Sequence, residues 1–185
     1  MRGAFSWAAG CRCTEVTTEP LAGSPEAVLR FWFDECRPAQ WFRRSQAFDQ
    51  TIQSRFGGLV EAALEGNLEH WSDSALSGLA LVLVLDQFPR NIWRGQAKAF
   101  AGDAQALALS HRAALQGWIA AEPRQPRRQF WLMPRLHSED LEVQNAALPL
   151  FERWTDPRTL AVAMNHRDTI ALHGRFPHRD QALKR

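Results

Sequence analysis

Hydrophobic positions along this chain recur at intervals of three and four residues, the period of a helix packed on one side. The clearest case is Phe48, Ile52, Phe56, Leu59, Val60, Ala63 and Leu64, bounded by Ser45 as a cap and by Gly66 where a left-handed C-cap residue is expected. Before it, Ser24-Pro25-Glu26 opens a helix through Val28, Leu29, Phe31, Trp32 and Phe33 that stops ahead of Pro38. Gly57-Gly58 suggests close approach by a neighbouring helix. Residues 68–71 form a short fragment, and Ser77 begins the most apolar run, residues 79–85, long enough for about two turns. A helix apolar on nearly every side is expected in a core. Further helices run from Phe100 to Gly117, from Gln129 to a stop at Pro134, from Ser138-Glu139-Asp140 to Trp154 with a kink at Pro149, and from Asp156-Pro157 to Gly174. No strand alternation occurs. The expectation is an all-α single domain of about seven helices, residues 24–185, arranged as a tetratricopeptide-like helical-hairpin array. The tetratricopeptide consensus itself is not visible at its 34-residue period.

The buried run ends directly in Asp86, Gln87, Phe88, Pro89, Arg90, Asn91 and Arg94. Polar groups carried into a core must find partners there. Pro89 should break the helix, freeing Arg90 from the face of Asp86 to swing inward onto Asp140 or Asp168. Two readings fit: a structural network capping a buried helix, or the floor of an anion-binding or catalytic pocket. Three further segments have similar polar density: His137-Ser138-Glu139-Asp140 with Gln144, His166-Arg167-Asp168, and Gly174-Arg175-Phe176-Pro177-His178-Arg179-Asp180. A histidine beside a carboxylate, with arginines on an anion, is equipment for acid–base work. Asp86, Arg90, His137, Asp140, His166, Asp168, Arg175 and His178 are therefore expected to converge.

Composition narrows the classes. With 22 basic and 20 acidic residues the net charge is +2, which makes no electrostatic case for nucleic acid or membrane. Only Lys98 and Lys184 are lysines; the arginine excess suits planar recognition of anions, and a GC-rich coding sequence would produce it equally. The absence of tyrosine excludes a phenolic acid or nucleophile. Cys11, Cys13 and Cys36 form no disulfide framework, and neither a zinc-binding histidine pair nor a nucleophile elbow occurs. No metal and no cofactor is expected. Residues 1–23 suggest a disordered leader or an early start codon, because the apolar stretch before Cys11 is too short for a signal peptide. The chain is expected to be cytoplasmic.

Val28-Leu29-Arg30-Phe31-Trp32-Phe33, Leu85-Asp86-Gln87-Phe88-Pro89-Arg90-Asn91, Ala99-Phe100-Ala101 with Asp103, His137-Ser138-Glu139-Asp140-Leu141, His166-Arg167-Asp168 and Gly174-Arg175-Phe176-Pro177-His178-Arg179 occur in the order of a known pattern. In these motifs the chain resembles the bacterial family catalogued as domain of unknown function 924, from about Pro25 onward. The resemblance implies an all-helical, tetratricopeptide-like fold and no activity. Arg135 stands where that pattern has an apolar residue and Asp180 where it has asparagine. The pattern also continues past Arg185, so the chain is expected to be shortened at its C-terminus. The leading functional expectation is a binding module for a protein or small anionic ligand, held by Asp86, Gln87, Arg90, Asn91, Arg94, Gln144, Arg175, His178 and Arg179. The alternative is a hydrolytic or acid–base enzyme acting on a phosphate- or carboxylate-bearing metabolite, with His137, Glu139, Asp140, His166 and Asp168 as candidate catalytic groups.

Overall fold

A computed structural model describes residues 23–185, and every regular element among them is helical. The leader and the Cys11/Cys13 pair lie outside the described residues. Seven long helices are α1 (residues 25–35), α3 (Gln46–Leu64), α4 (residues 75–92), α5 (Asp103–Leu115), α7 (Gln125–Leu136), α8 (Leu141–Trp154) and α9 (Pro157–His173). Three single turns, α2 (Pro38–Trp41), α6 (Trp118–Ala121) and α10 (Asp180–Leu183), bring the total to ten, more than the periodicity alone predicts. One-turn helices are too short to carry a periodic signal. No helix among the described residues is long and apolar enough to cross a membrane.

Helix ends follow local chemistry. The Ser24 hydroxyl accepts from Ala27 N–H at 3.2 Å, and Ser45 from Phe48 N–H at 3.4 Å. Asp140 and Asp156 each accept two backbone N–H groups in the first turns of α8 and α9. Gly66, Gly117 and Gly174 take positive φ at the ends of α3, α5 and α9, where a side chain would be strained. Ser74, not Ser77, caps α4, with Ser77 N–H donating to its hydroxyl at 3.2 Å.

Proline proved a poor guide to where helices end. Helix α4 runs through Pro89 because residues Leu83–Gln87 form a π turn, in which Phe88 N–H reaches back five residues to the Leu83 carbonyl. The extra residue absorbs the register that proline cannot serve, and Arg90 stays over Asp86. Helix α7 likewise runs on through Pro134 to Leu136. Its interior is lined by Phe130, Trp131, Leu132, Met133 and Leu136, all buried. Each such side chain contributes about 1.5–3 kcal/mol, enough to outweigh one lost helical hydrogen bond. Helix α8 continues past Pro149 in the same way.

The core forms around α4, whose residues 78–89 are all buried. Phe88 packs among Phe31, Trp32 and Phe56, and Phe130 packs edge-on to Trp32, Phe33 and Trp41. A Cβ at Gly57 would meet only Gln53 of its own helix within 4 Å, and one at Gly58 would meet nothing, so neither glycine is required by close approach of a neighbouring helix. The close approaches are at Gly78, against Trp131, and at Gly102, against the Leu85 carbonyl. Arg135 is buried, donating through Nε to the Ser110 hydroxyl at 3.0 Å and through a terminal nitrogen to the Ser110 carbonyl at 3.3 Å. Cys36 is buried, and that burial pushes its thiol up to about 11.

Helices α7, α8 and α9 alternate in direction, so α7 and α9 run parallel. Gln125 at the start of α7 reaches Asp156 before α9 at 3.5 Å, and the Leu136 carbonyl at the end of α7 meets Nδ1 of His166 in α9 at 3.1 Å. Between these two rods, with α2 across the top, lies an open groove.

Candidate functional site

The π turn delivers Asp86 into the core with its side chain fully buried. One carboxylate oxygen meets Nδ1 of His137 at 2.8 Å; the other accepts from Gln87 Nε2 at 2.6 Å. Arg90 donates to the Asp86 backbone carbonyl at 2.5 Å and lies 3.2 Å from its carboxylate. The same guanidinium grips Asp103, at 2.9 Å to Oδ2 and 2.8 Å to Oδ1; the latter is an ion pair without hydrogen-bond alignment. Arg179 completes the network, 3.2 Å from Asp103 and donating to the His137 carbonyl at 3.0 Å, with its guanidinium 4.6 Å from the Phe100 ring and 4.7 Å from the Phe176 ring. Two carboxylates and two guanidinium groups balance, as buried charges must.

Burial is the largest influence on Asp86 and acts to raise its carboxyl, but Arg90, His137 and Gln87 together outweigh it and hold it down at about 2. Burial and the Arg90 charge lower His137, against the pull of Asp86 and Asp103. His166 is lowered mainly by burial, against its bond to Leu136. His178 is lowered by burial and by Arg179. Neutral imidazoles follow. A carbonyl can only accept, so Nδ1 of His166 carries its proton, and an ionised Asp86 fixes the same tautomer on His137. Both rings then present an unprotonated Nε2, and both line the groove.

The groove holds about 840 Å³. Gln125, Gln129, Met133 and His137 form one wall at four-residue steps along α7, and Arg158, Val162 and His166 form the other along α9. Trp41 and Phe42 cover it, and Phe42 is 62% exposed.

The expected convergence is partial. Asp86, Arg90 and His137 share one network, and Phe176 joins His166 and His178 to it, with ring centroids 5.0 and 5.4 Å away. Asp140 is an exposed cap of α8, Asp168 pairs with adjacent Arg167 at 2.8 Å, and exposed Arg175 pairs with Asp180 at 3.0 Å. These three satisfy local partners on the surface, so nothing draws them inward. Arg90 finds Asp86 and Asp103, not Asp140 or Asp168, because the helix is not broken at Pro89. Asn91 donates to the Gln87 carbonyl at 2.9 Å, Arg94 clamps Asp49 at 2.6 and 2.8 Å, and Gln144 holds the carbonyls of Leu136 and Ser138 at 2.9 and 2.8 Å. Glu139 accepts the Phe176 N–H at 2.9 Å and a guanidinium nitrogen of Arg185 at 2.5 Å. Asp103, named from the sequence only within a motif, and the wall residues Trp41, Gln129, Met133, Arg158 and Val162 were not among the expected site residues, although both four-residue ladders are written in the sequence. No group of three or more histidine, cysteine, aspartate or glutamate side chains arranged for a metal occurs among the described residues.

The three histidines set an acid limit on stability. Their folded values lie below the ordinary 6.5, so the unfolded chain binds protons first as pH falls. Stability is full above 6.5 and is lost as pH falls through the folded values. Asp86 adds a second loss only below 3.8, its unfolded value, completed near 2. Thermal melts are expected to show Tm declining between pH 7 and pH 5, before Asp86 titrates. A flat profile there would contradict neutral buried imidazoles.

A family profile described as a bacterial protein of unknown function, DUF924, matches residues 28–185. The solved structure of the protein of unknown function ATU0120 from Agrobacterium tumefaciens is similar at 36% identity, with a TM-score of 0.82, over 87% of this chain and 90% of that one. No functionally curated protein matches.

Proposed function

The chain belongs to the bacterial family of unknown function DUF924, and from that premise we propose that it is an acid–base enzyme whose groove holds a small molecule against Nε2 of His137. The observation that carries this is the 2.8 Å contact between buried Asp86 and His137 at the end of an open groove. A buried carboxylate on Nδ1 fixes the tautomer and stabilises the imidazolium formed when Nε2 takes a proton. His166, on the same groove with its own Nδ1 committed, is the partner that exchanges the second proton. Hydrolysis or proton transfer fits this pair. Helices α7, α8 and α9 fit a tetratricopeptide-like array of hairpins, in which the concave face takes the ligand.

The second reading is a binding module for a protein or small anionic ligand. It is favoured by the apolar cover of Trp41 and Phe42, and it needs no free imidazole nitrogen. The two readings separate on His137. Imidazole nitrogen shifts in labelled protein are expected to show the Nδ1–H tautomer at pH 7. Hits from a thermal-shift screen of phosphate- and carboxylate-bearing metabolites are expected to be turned over, as followed by mass spectrometry. His137→Gln should slow that turnover by about 10²–10⁴-fold. Hits that bind and remain chemically unchanged would sink the enzyme and leave the module.

A further inference from the structure

Resting on that acid–base reading, we propose that the groove selects an elongated amphipathic acid, with its negative head at Arg158 and its reacting group at His137 and His166. The two ends of the groove are chemically unlike. Arg158, Val162 and His166 step along one face of α9, so Arg158 and His166 are eight residues apart, a rise of about 12 Å. The parallel ladder on α7 runs the same way, with Gln125 at the Arg158 end and His137 at the histidine end. The stretch between is mostly apolar, with Met133 and Val162 on the walls and Trp41 and Phe42 above, and Gln129 is the polar side chain among them on the α7 wall.

The charges at the Arg158 end are also unequal in what they have left to offer. The Asp156 carboxylate is saturated, accepting from the N–H groups of Arg158 and Thr159 at 2.9 and 3.1 Å, from the Thr159 hydroxyl at 2.7 Å and from Gln125 at 3.5 Å. The Arg158 side chain is exposed on the groove and makes no ion pair among the described residues. In contrast, Arg90 and Arg179 have their forks committed to Asp86 and Asp103, so neither is free to hold a ligand without losing a buried pair. The anion-binding arginine is therefore Arg158. A planar guanidinium takes a carboxylate or a phosphate equally through two parallel N–H bonds, and both head groups fall within the class.

Isothermal titration of the full chain with phenylbutyrate, phenylbutanamide, benzoate and phenyl phosphate reads this directly. Phenylbutyrate, whose chain can carry its ring from Arg158 into the apolar stretch, is expected to bind at least about tenfold more tightly than the uncharged amide, as a charge-assisted pair on Arg158 requires. It should also exceed benzoate, which is too short to reach the apolar cover from Arg158. Phenyl phosphate exceeding benzoate would place phosphate, and the reverse carboxylate, as the preferred head. Arg158→Gln, a surface change expected to leave Tm unaltered, should level phenylbutyrate and the amide. His137→Gln should leave the preference for the acid intact, so a missing preference and a missing catalytic base are separate failures. Equal binding of acid and amide, a preference surviving Arg158→Gln, or no heat from any probe at millimolar concentration would overturn the proposal.

Discussion

Asp86→Ala is expected to destabilise the protein by about 3–5 kcal/mol, the usual cost of removing one partner from a buried ion pair. The variant leaves Arg90 facing only Asp103, so the network carries two guanidinium groups for one carboxylate. It also leaves Nδ1 of His137 and the side-chain amide of Gln87 without their acceptor. At roughly 2–4 °C per kcal/mol for a chain of this size, Tm should fall by about 6–20 °C. Asp86→Asn separates charge from shape. It keeps the volume and one acceptor oxygen, so its cost should be smaller. The amide nitrogen can only donate, however, and turned toward His137 it favours the opposite tautomer, with the proton on Nε2. Turnover should then drop as far as it does in His137→Gln while the fold survives. Denaturant melts of the two variants check the first claim, and imidazole nitrogen shifts the second. A loss below about 1 kcal/mol in Asp86→Ala would mean that the network contributes little to folding.

Much of the fold was legible because the signals for it are local. Ser24, Ser45, Asp140 and Asp156 cap helices, and Gly66, Gly117 and Gly174 end them, each through contacts within about four residues of itself. Pro89 and Pro134 misled for the opposite reason. Whether a proline ends a helix depends on what the helix buries, and that is settled by Trp32, Phe88 and Phe130 meeting in the core. The polar network was half legible. A buried helix ending in Asp86 must supply partners for it, and His137 stood out as a histidine in a dense polar segment. Which carboxylate meets Arg90 could not be read, since Asp103 is an ordinary first-turn acid in sequence, while Asp140 and Asp168 sit in denser motifs. Those two spend their charge on a cap and on a neighbour. The groove was hidden too, because its walls belong to α7 and α9, which become parallel neighbours only when α8 folds back between them.

Gly102→Ala is expected to be the most damaging glycine-to-alanine change among the described residues, and its effect should reach the site. A Cβ at this position would stand 2.3 Å from the Leu85 carbonyl oxygen and 3.0 and 3.1 Å from Leu85 carbonyl carbon and Cα. All three are backbone atoms of the π turn, so no side chain can rotate away. The need for glycine is one of space, since its φ of −91° is open to any residue. The Leu85 carbonyl is the one that Pro89, having no N–H, leaves without its helical donor four residues on. It faces outward against Gly102, and this contact sets the start of α5, with Asp103 as its first residue beside Arg90. Overpacking a core commonly costs about 1–3 kcal/mol and more where the backbone must move. Here the upper end is expected, because relief requires α5 to shift away from α4. That shift pulls Asp103 off Arg90 and Arg179. Gly102→Ser should be at least as damaging, whereas Gly58→Ala, with nothing within 4 Å of its Cβ position, should stabilise by a few tenths of a kcal/mol. Parallel melts of the three variants distinguish a steric origin from a general sensitivity to substitution. If Gly102→Ala melts within about 2 °C of the parent, α5 does not rest on the π turn, and Asp103 must be placed beside Arg90 by something else.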